Sequence, residues 1–278
     1  MKSLLVWTNL KPKLIPLLER NRESRLENEK AQRRYDRMTK LSQLLSNIKH
    51  ADPPLIDTHI KDIAPPFLSD SKSPIVKVTH QRLFPLAVDI LEHPIMKSLE
   101  ETDVSASEME ARFEQHGEQI NAIISEWRLY IEGYMAELLR NGRVPDGLEE
   151  ATPAPILPVG ESEPDPFDNV SDDLKILLRA DSLFESTSSP FMTAFNYSTP
   201  FVVPHFSSSA FPRERIDLTK YRRHSEAQKF AGVLLAEMGK PNASFLELKS
   251  IGSQFMCGRC HDDSVYNWEE MVRPFPFL

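Results

Sequence analysis

The chain is poor in glycine and lacks the glycine-rich motifs that bind phosphate groups. Only 9 of its 278 residues are glycine. The sequence has no G-x-x-x-x-G-K-[ST], G-x-G-x-x-G, G-x-S-x-G or H-E-x-x-H motif. Acidic pairs such as Asp172-Asp173 and Asp262-Asp263 are adjacent, so their side chains diverge instead of converging on a substrate. We therefore expect a protein that is not an enzyme.

Cysteine and long apolar runs are also scarce. Two cysteines only three positions apart cannot form the disulfide framework of a small secreted protein. The apolar run Leu4–Trp7 is shorter than the roughly 7–15 residues of a secretory signal. No segment approaches the roughly 20 apolar residues of a membrane span. These absences predict an intracellular protein, cytoplasmic or nuclear, without a membrane partner.

Basic residues are outnumbered by acidic ones. The chain has 33 Lys and Arg against 41 Asp and Glu, for a net charge of −8. Nucleic acids and anionic membranes attract clustered basic side chains, so this balance disfavours both as general partners while leaving room for local basic patches. We expect the partner to be another protein; the oligomeric state stays open.

Proline, by contrast, is abundant, and it divides the chain. The 22 prolines concentrate in 145–166 and 190–212, which indicates spacer sequence that is mostly irregular and mobile. The aromatic residues of the second stretch follow no period, and they suit either a loose surface segment that lays them on the domain or a string that docks a partner. The predicted organisation is a helical domain over 1–142, an acidic Pro-rich linker over 143–170, a short helix with an irregular Ser/Pro/Phe segment over 171–212, and a helix with a finger-like module over 213–278.

Helical periodicity is strongest in the first half of the chain. Apolar residues at steps of three or four predict a helix over 14–48 and a long one over about 104–140. The second begins at a Ser105-x-x-Glu108 capping box, and we expect its stripe, including Trp127, to pack against the first helix and the 80–100 region. His116 lies on the same stripe, where we interpret it as a hydrogen-bonded core residue.

The last 35 residues combine strand, turn and helix signals. Ser244–Lys249 reads as a strand, and Gly252 is a turn candidate. Asn267-x-x-Glu270 predicts the cap of a short helix. The predicted fold class is therefore mainly α, with a helical N-terminal platform, disordered Pro-rich linkers and a small α+β C-terminal module of ββα, finger-like order.

The sharpest chemical motif is Cys257-Gly-Arg-Cys260-His261. Two thiolates on a tight knuckle occupy two corners of a Zn²⁺ tetrahedron, and the following helix normally supplies the other two ligands. Here that helix has no His or Cys, and His261 is poorly placed beside Cys260. The metal candidates are therefore Cys257, Cys260 and His261, an incomplete zinc site, and the other interpretations are a redox pair, a c-type haem box or plain packing.

A family resemblance follows from the C-terminal residues. Phe255-Met-Cys257-Gly-Arg-Cys260, followed by Trp268-Glu-Glu-Met271-Val272, resembles the C-terminal signature of uncharacterised mushroom-type (agaricomycete-like) fungal proteins, a zinc-finger-like C-x-x-C, then Trp, then an aliphatic pair before a histidine. Arg273 or Pro274 stands at the histidine position here. The resemblance implies a truncated or degenerate finger and carries no established activity.

These patterns favour a non-enzymatic intracellular interaction protein, built as a helical platform that flexible linkers tether to a small finger-like module. One alternative is a zinc-finger factor associated with nucleic acid or regulation. Another is a metal or redox protein that acts through C-x-x-C-H.

Overall fold

The protein is mainly α-helical, with small antiparallel sheets. The computed structural model describes residues 2–60, 76–141, 167, 170–188, 194–201, 215–256 and 264–273. The chain divides into two compact units, one made of 1–51 with 85–125 and the other of 52–84 with 126–278. This division differs from the predicted boundaries near 142 and 212, because distant segments pair within each unit.

The first unit is a set of helices. Its first helix extends over fifty residues, beyond the predicted 14–48, although Pro12 and Pro16 lie inside it. The helices are α1 (Lys2–Ala51), α2 (Ala87–Ile90), α3 (Pro94–Glu101), α4 (Ala106–Gln115) and the start of α5 (Gly117–Asn141).

The core of the first unit lies between the C-terminal half of α1 and the short helices. Helix α1 packs against α2, α3 and α4. Pro94 occupies the first turn of α3, where a missing N–H costs nothing. The buried apolar side chains are Leu41, Leu45, Ile90, Met96, Leu99, Met109, Phe113, Ile120, Ile123 and Ile124.

The long helix predicted over 104–140 is interrupted at His116. Its start is confirmed, since the Ser105 hydroxyl accepts a hydrogen bond from the Glu108 N–H at 3.2 Å. His116 leaves helical geometry, with φ −98° and ψ 13°, and α5 begins at the next residue, Gly117. The interpretation of His116 as a core residue was wrong: it is half-buried, and its Nδ1 lies 2.7 Å from Gln119 Oε1.

The second unit combines the rest of α5 with small sheets and short helices. Strand β1 pairs antiparallel with β2, and β3 lies between β4 and β5 in a three-stranded antiparallel sheet. The elements are β1 (Ile56–Ile60), β2 (Val76–His80), α6 (Asp172–Leu177), β3 (Leu183–Ser186), β4 (Phe195–Asn196), β5 (Tyr221–Arg223), α7 (Ser225–Glu237), α8 (Phe245–Ile251), β6 (Phe255–Met256), β7 (Val265–Tyr266) and α9 (Trp268–Met271).

One continuous apolar core runs through the second unit. It joins Ile131 and Met135 of α5 to Phe184 of β3, Leu248 of α8 and Trp268 of α9. Trp127 packs at the edge of this core, edge-to-face with Phe201 at 6.2 Å between ring centroids. Leu83, from the predicted 80–100 region, belongs to this core, whereas Phe201 was not predicted as a partner of Trp127. The apolar stripe of α5 therefore contributes to two cores: Ile120 is buried in the first unit and Ile131 in the second.

The segment Ser244–Lys249 is a helix, not the predicted strand. The Ser244 hydroxyl accepts from the Glu247 N–H at 3.1 Å, so the residue acts as an N-cap. Phe245, Leu246, Glu247 and Leu248 are buried in succession, and Lys249 is exposed. Because the polar Glu247 is buried too, the helix shows no separate polar stripe, and the alternation of Leu246, Glu247 and Leu248 looks like a strand in sequence.

The predicted spacers fall only partly on the described residues. Most of 143–170 and of 186–212 lies outside them, but Phe167 and Val170 are buried. The aromatic stretch places Phe195, Tyr197 and Phe201 in the core. In this described part the aromatic residues do pack on the domain, but the segment is not a loose surface one, because β4 pairs with β3 and these side chains are buried in the core.

Within the described ranges, no helix is both long enough and apolar enough to cross a membrane.

Candidate functional site

The predicted metal ligands Cys257, Cys260 and His261 lie in 257–263, outside the described residues. Their immediate neighbours on both sides are described. Strands β6 and β7 pair antiparallel, with Phe255 opposite Tyr266 and Met256 opposite Val265. Helix α9 follows at once, so these three elements have the order β–β–α. They are not the predicted elements, because the predicted first strand, Ser244–Lys249, belongs to helix α8 and the second strand of the hairpin is β7.

Helix α9 starts at the predicted cap. The Asn267 side chain accepts from the Glu270 N–H at 2.9 Å, and the Glu270 carboxylate accepts from the Asn267 N–H at the same distance. This reciprocal capping box fixes where the chain turns from β7 into a helix of only four residues.

Trp268 attaches the hairpin and helix to the core of the second unit. Its side chain is buried, and its indole N–H donates to the Ala180 carbonyl at 3.1 Å. The Phe255 ring lies 5.7 Å from the indole, at an angle of 61°. On the neighbouring sheet, the Asn196 amide donates to the Glu269 carboxylate at 3.3 Å. The finger-like module is therefore packed onto the core rather than tethered beside it.

The outer face of the hairpin is apolar. Side chains alternate between the two faces of a strand, so the pair Met256–Val265 lies on the face opposite the pair Phe255–Tyr266. Met256 is 59% exposed and Val265 54% exposed, whereas Phe255 and Tyr266 are half-buried. Two apolar side chains thus face solvent next to the first cysteine.

The acidic and His side chains of the described part do not form another metal site. In the ranges that the structure describes, no three such side chains come together at a point. His224 is the N-cap of α7, and its Nδ1 accepts from the Ala227 N–H at 3.3 Å. That nitrogen therefore already takes part in a structural hydrogen bond.

A buried polar pair that the sequence interpretation missed lies elsewhere in the second unit. His80 Nε2 is 3.1 Å from the Tyr197 hydroxyl, and both residues are buried. The His80 ring also meets the Phe245 ring edge-on at 5.5 Å. Alternation of apolar and polar residues along Val76–Thr79 could have placed His80, but not its distant partner, on the inward face of β2, where Val78 and His80 are buried.

Burial controls the protonation of this pair. It lowers the pKa of His80 to about 4, with a smaller contribution from the positive charge of Lys249. Burial also raises the pKa of Tyr197, assisted by the negative charge of Glu132. The pKa of Glu132 is itself raised by burial. At neutral pH the imidazole and the phenol are uncharged, which suits a core hydrogen bond between β2 and the segment after β4.

The low pKa of His80 makes stability depend on pH. In the unfolded chain the imidazole titrates near its ordinary value of 6.5, so between pH 6.5 and about 4 the unfolded state binds more protons than the folded state. The contribution of neutral His80 to the free energy of unfolding is therefore fully present above pH 6.5 and is lost as the pH drops toward 4. We expect a loss of about 2 kcal/mol between pH 7.5 and pH 5 from this residue.

Urea unfolding at the two pH values measures this loss. His80→Gln removes the titrating group while keeping a polar side chain, so the pH-dependent difference should shrink by that amount. An unchanged difference in the variant would assign the pH dependence to other groups. His116→Gln is the matched control, because His116 is half-buried at a helix end.

Comparisons with family models, curated proteins and solved structures found no match to the chain.

Proposed function

We propose that this is a non-enzymatic intracellular protein that binds another protein through its C-terminal hairpin, with the helical units as the platform. The observation that carries the proposal is the exposed apolar pair Met256–Val265, held on a hairpin that Trp268 fixes to the core. A rigidly positioned apolar surface loses little entropy on binding, so its burial favours a specific partner.

The cysteines fit this proposal as a structural element of the hairpin. Cys257 follows Met256 directly, so a metal held there would stiffen the end that carries the exposed pair. The donor set fits zinc only in part, because two thiolates are half of a structural tetrahedron and His261 adjoins Cys260. The resemblance to mushroom-type fungal proteins, against which the finger of this chain is degenerate, agrees with this incomplete set.

A site-specific photo-cross-linker tests the binding surface. We expect p-benzoylphenylalanine at Val265 to give a discrete protein adduct in extract of the source cells. Met256→Asp in the same chain should abolish the adduct, because a carboxylate in the apolar contact remains unpaired. Leu129, an exposed apolar residue of α5 at 65% exposure, is the matched position for background labelling.

Equal labelling at Val265 and Leu129, or an adduct that persists with Met256→Asp, would contradict the proposal. An adduct that disappears on nuclease treatment would favour the nucleic-acid alternative. A direct titration then decides, because phosphate contacts weaken steeply with added salt and apolar contacts do not.

Zinc binding provides a separate prediction. With two thiolates in one chain, we expect zinc to be held weakly, or to be shared between two chains, and to be lost in Cys257→Ser with Cys260→Ser. A chelator should leave the far-UV circular dichroism unchanged, because Trp268 and Val272 fix α9 through the core and not through the cysteines. One tightly held zinc per monomer would show that two further ligands exist.

A further inference from the structure

The N-terminal part of α1 extends beyond the core of its unit. Every side chain from Leu10 to Asp36 is exposed, and burial begins only at Arg37. At 1.5 Å per residue these 27 positions correspond to about 40 Å of helix. A helix of this length without a buried face is not stabilised by tertiary packing.

Four leucines form a stripe on this exposed part. Leu10, Leu14, Leu17 and Leu18 follow one another at helical spacing and are 44%, 37%, 52% and 64% exposed. Pro12 and Pro16, which also lie inside the helix, fall on the other side. A stripe of this kind on a surface helix normally faces a core, and here it faces solvent.

The charge around the stripe differs in sign from that of the whole protein. Residues 2–18 contain three lysines and no acidic residue, and residues 2–34 contain nine basic and four acidic ones. The remainder of the chain is therefore strongly acidic, since the total is −8. The net charge of the whole chain disfavours an anionic membrane as a partner, but residues 2–34 carry a local excess of positive charge.

We infer that the leucine stripe and its lysines dock α1 on an anionic lipid surface, with the helix lying in the plane of the interface. Leucines enter the boundary between headgroups and acyl chains, and Lys11 and Lys13 meet the lipid phosphates. Leu18 lies roughly 28 Å along the helix from Arg37, farther than the Debye length of about 8 Å, so the acidic groups around Arg37 are screened from the surface.

The size of the stripe favours lipid over a second copy of the chain. Leu10 to Leu18 spans only about 12 Å, whereas a coiled coil needs three or four sustained heptads. The positions that would continue the stripe are Asn21, Ser24 and Asn28, which are polar. Partition into a bilayer interface requires no such length, only apolar area and positive charge.

Vesicle sedimentation of the full chain tests the inference, with Leu17→Glu as the disabling change and Leu26→Glu as its control. The two leucines are almost equally exposed, at 52% and 50%. They are nine residues apart and therefore lie on opposite sides of the helix. Because neither side chain is buried, both variants should keep the far-UV circular dichroism of the parent.

The parent and Leu26→Glu should sediment with vesicles of phosphatidylserine and phosphatidylcholine at low salt. We expect Leu17→Glu to bind about tenfold more weakly. Lys11→Gln with Lys13→Gln, and vesicles of phosphatidylcholine alone, should also lower binding about tenfold or more.

Three results would overturn the inference. The first is no sedimentation of the parent with anionic vesicles. The second is equal binding of Leu17→Glu and Leu26→Glu. The third is a concentration-dependent dimer in sedimentation velocity that Leu17→Glu abolishes without any vesicle binding, which would assign the stripe to a second copy.

Discussion

Trp268→Ala is expected to lower the free energy of unfolding by about 3–5 kcal/mol, the cost of a large cavity in a core. Trp268 is 2% exposed and shares one apolar core with Ile131, Met135 and Phe184. The change also removes the indole donor of the Ala180 carbonyl. Denaturant unfolding at neutral pH measures the loss.

Trp268→Phe separates packing from hydrogen bonding. A phenyl ring retains most of the apolar contact but leaves the Ala180 carbonyl without its donor, so we expect a smaller loss of about 1–2 kcal/mol. Hydrogen exchange adds a regional measurement: Trp268→Ala should reduce amide protection around Met135 as well as in α9, because both border the same core. Reduced protection confined to α9 would mean that the C-terminal module is a separate, tethered unit.

Local signals predicted where several elements begin or end. Ser105 caps α4 through a bond from the Glu108 N–H, and Asn267 caps α9. Gly252, the predicted turn residue, follows α8 with a positive φ of 73°, a conformation that glycine adopts without strain. Each signal acts between residues a few positions apart, so the sequence alone is enough to interpret it.

Interactions between distant residues were not predictable in this way. Periodicity supported a single helix over 104–140, yet the chain breaks at His116 and divides the stripe between two units. Phe195 and Tyr197 follow no period, and a two-residue pairing with β3 makes them core residues. The burial of such short elements depends on pairing with distant strands, and the local sequence pattern does not predict that pairing.

The candidate site shows the same limit. The C-x-x-C spacing and the Asn267 cap were visible in sequence, but the attachment of Trp268 to Ala180 joins residues 88 positions apart. Without that contact the module was interpreted as tethered. The His80–Tyr197 pair, 117 positions apart, was missed for the same reason.

Arg37 connects α1 to the junction between α3 and α4. Its guanidinium donates to the Glu100 carbonyl at 3.1 Å, to the Val104 carbonyl at 2.9 Å and to the Asp103 carboxylate at 3.2 Å. The last carbonyls of a helix have no partner within it, so a cation here satisfies the end of α3 and interacts favourably with its dipole. Arg37 is 2% exposed, which makes these bonds inaccessible to water.

Arg37→Met should therefore destabilise the first unit by about 2–4 kcal/mol, since the thioether keeps the volume but leaves the buried Glu100 carbonyl and the partly buried Val104 carbonyl unpaired. Arg33→Met is the matched control. Arg33 binds the same Asp103 at 2.8 and 3.0 Å but is exposed, and solvent screening leaves an exposed ion pair with little effect on stability. Arg37→Lys should recover little of the stability that Arg37→Met loses. A single ammonium cannot reproduce the planar guanidinium that reaches both carbonyls and the carboxylate. Unfolding curves that rank Arg33→Met as costly as Arg37→Met would show that the charge of Asp103, rather than the two carbonyls, determines the role of Arg37.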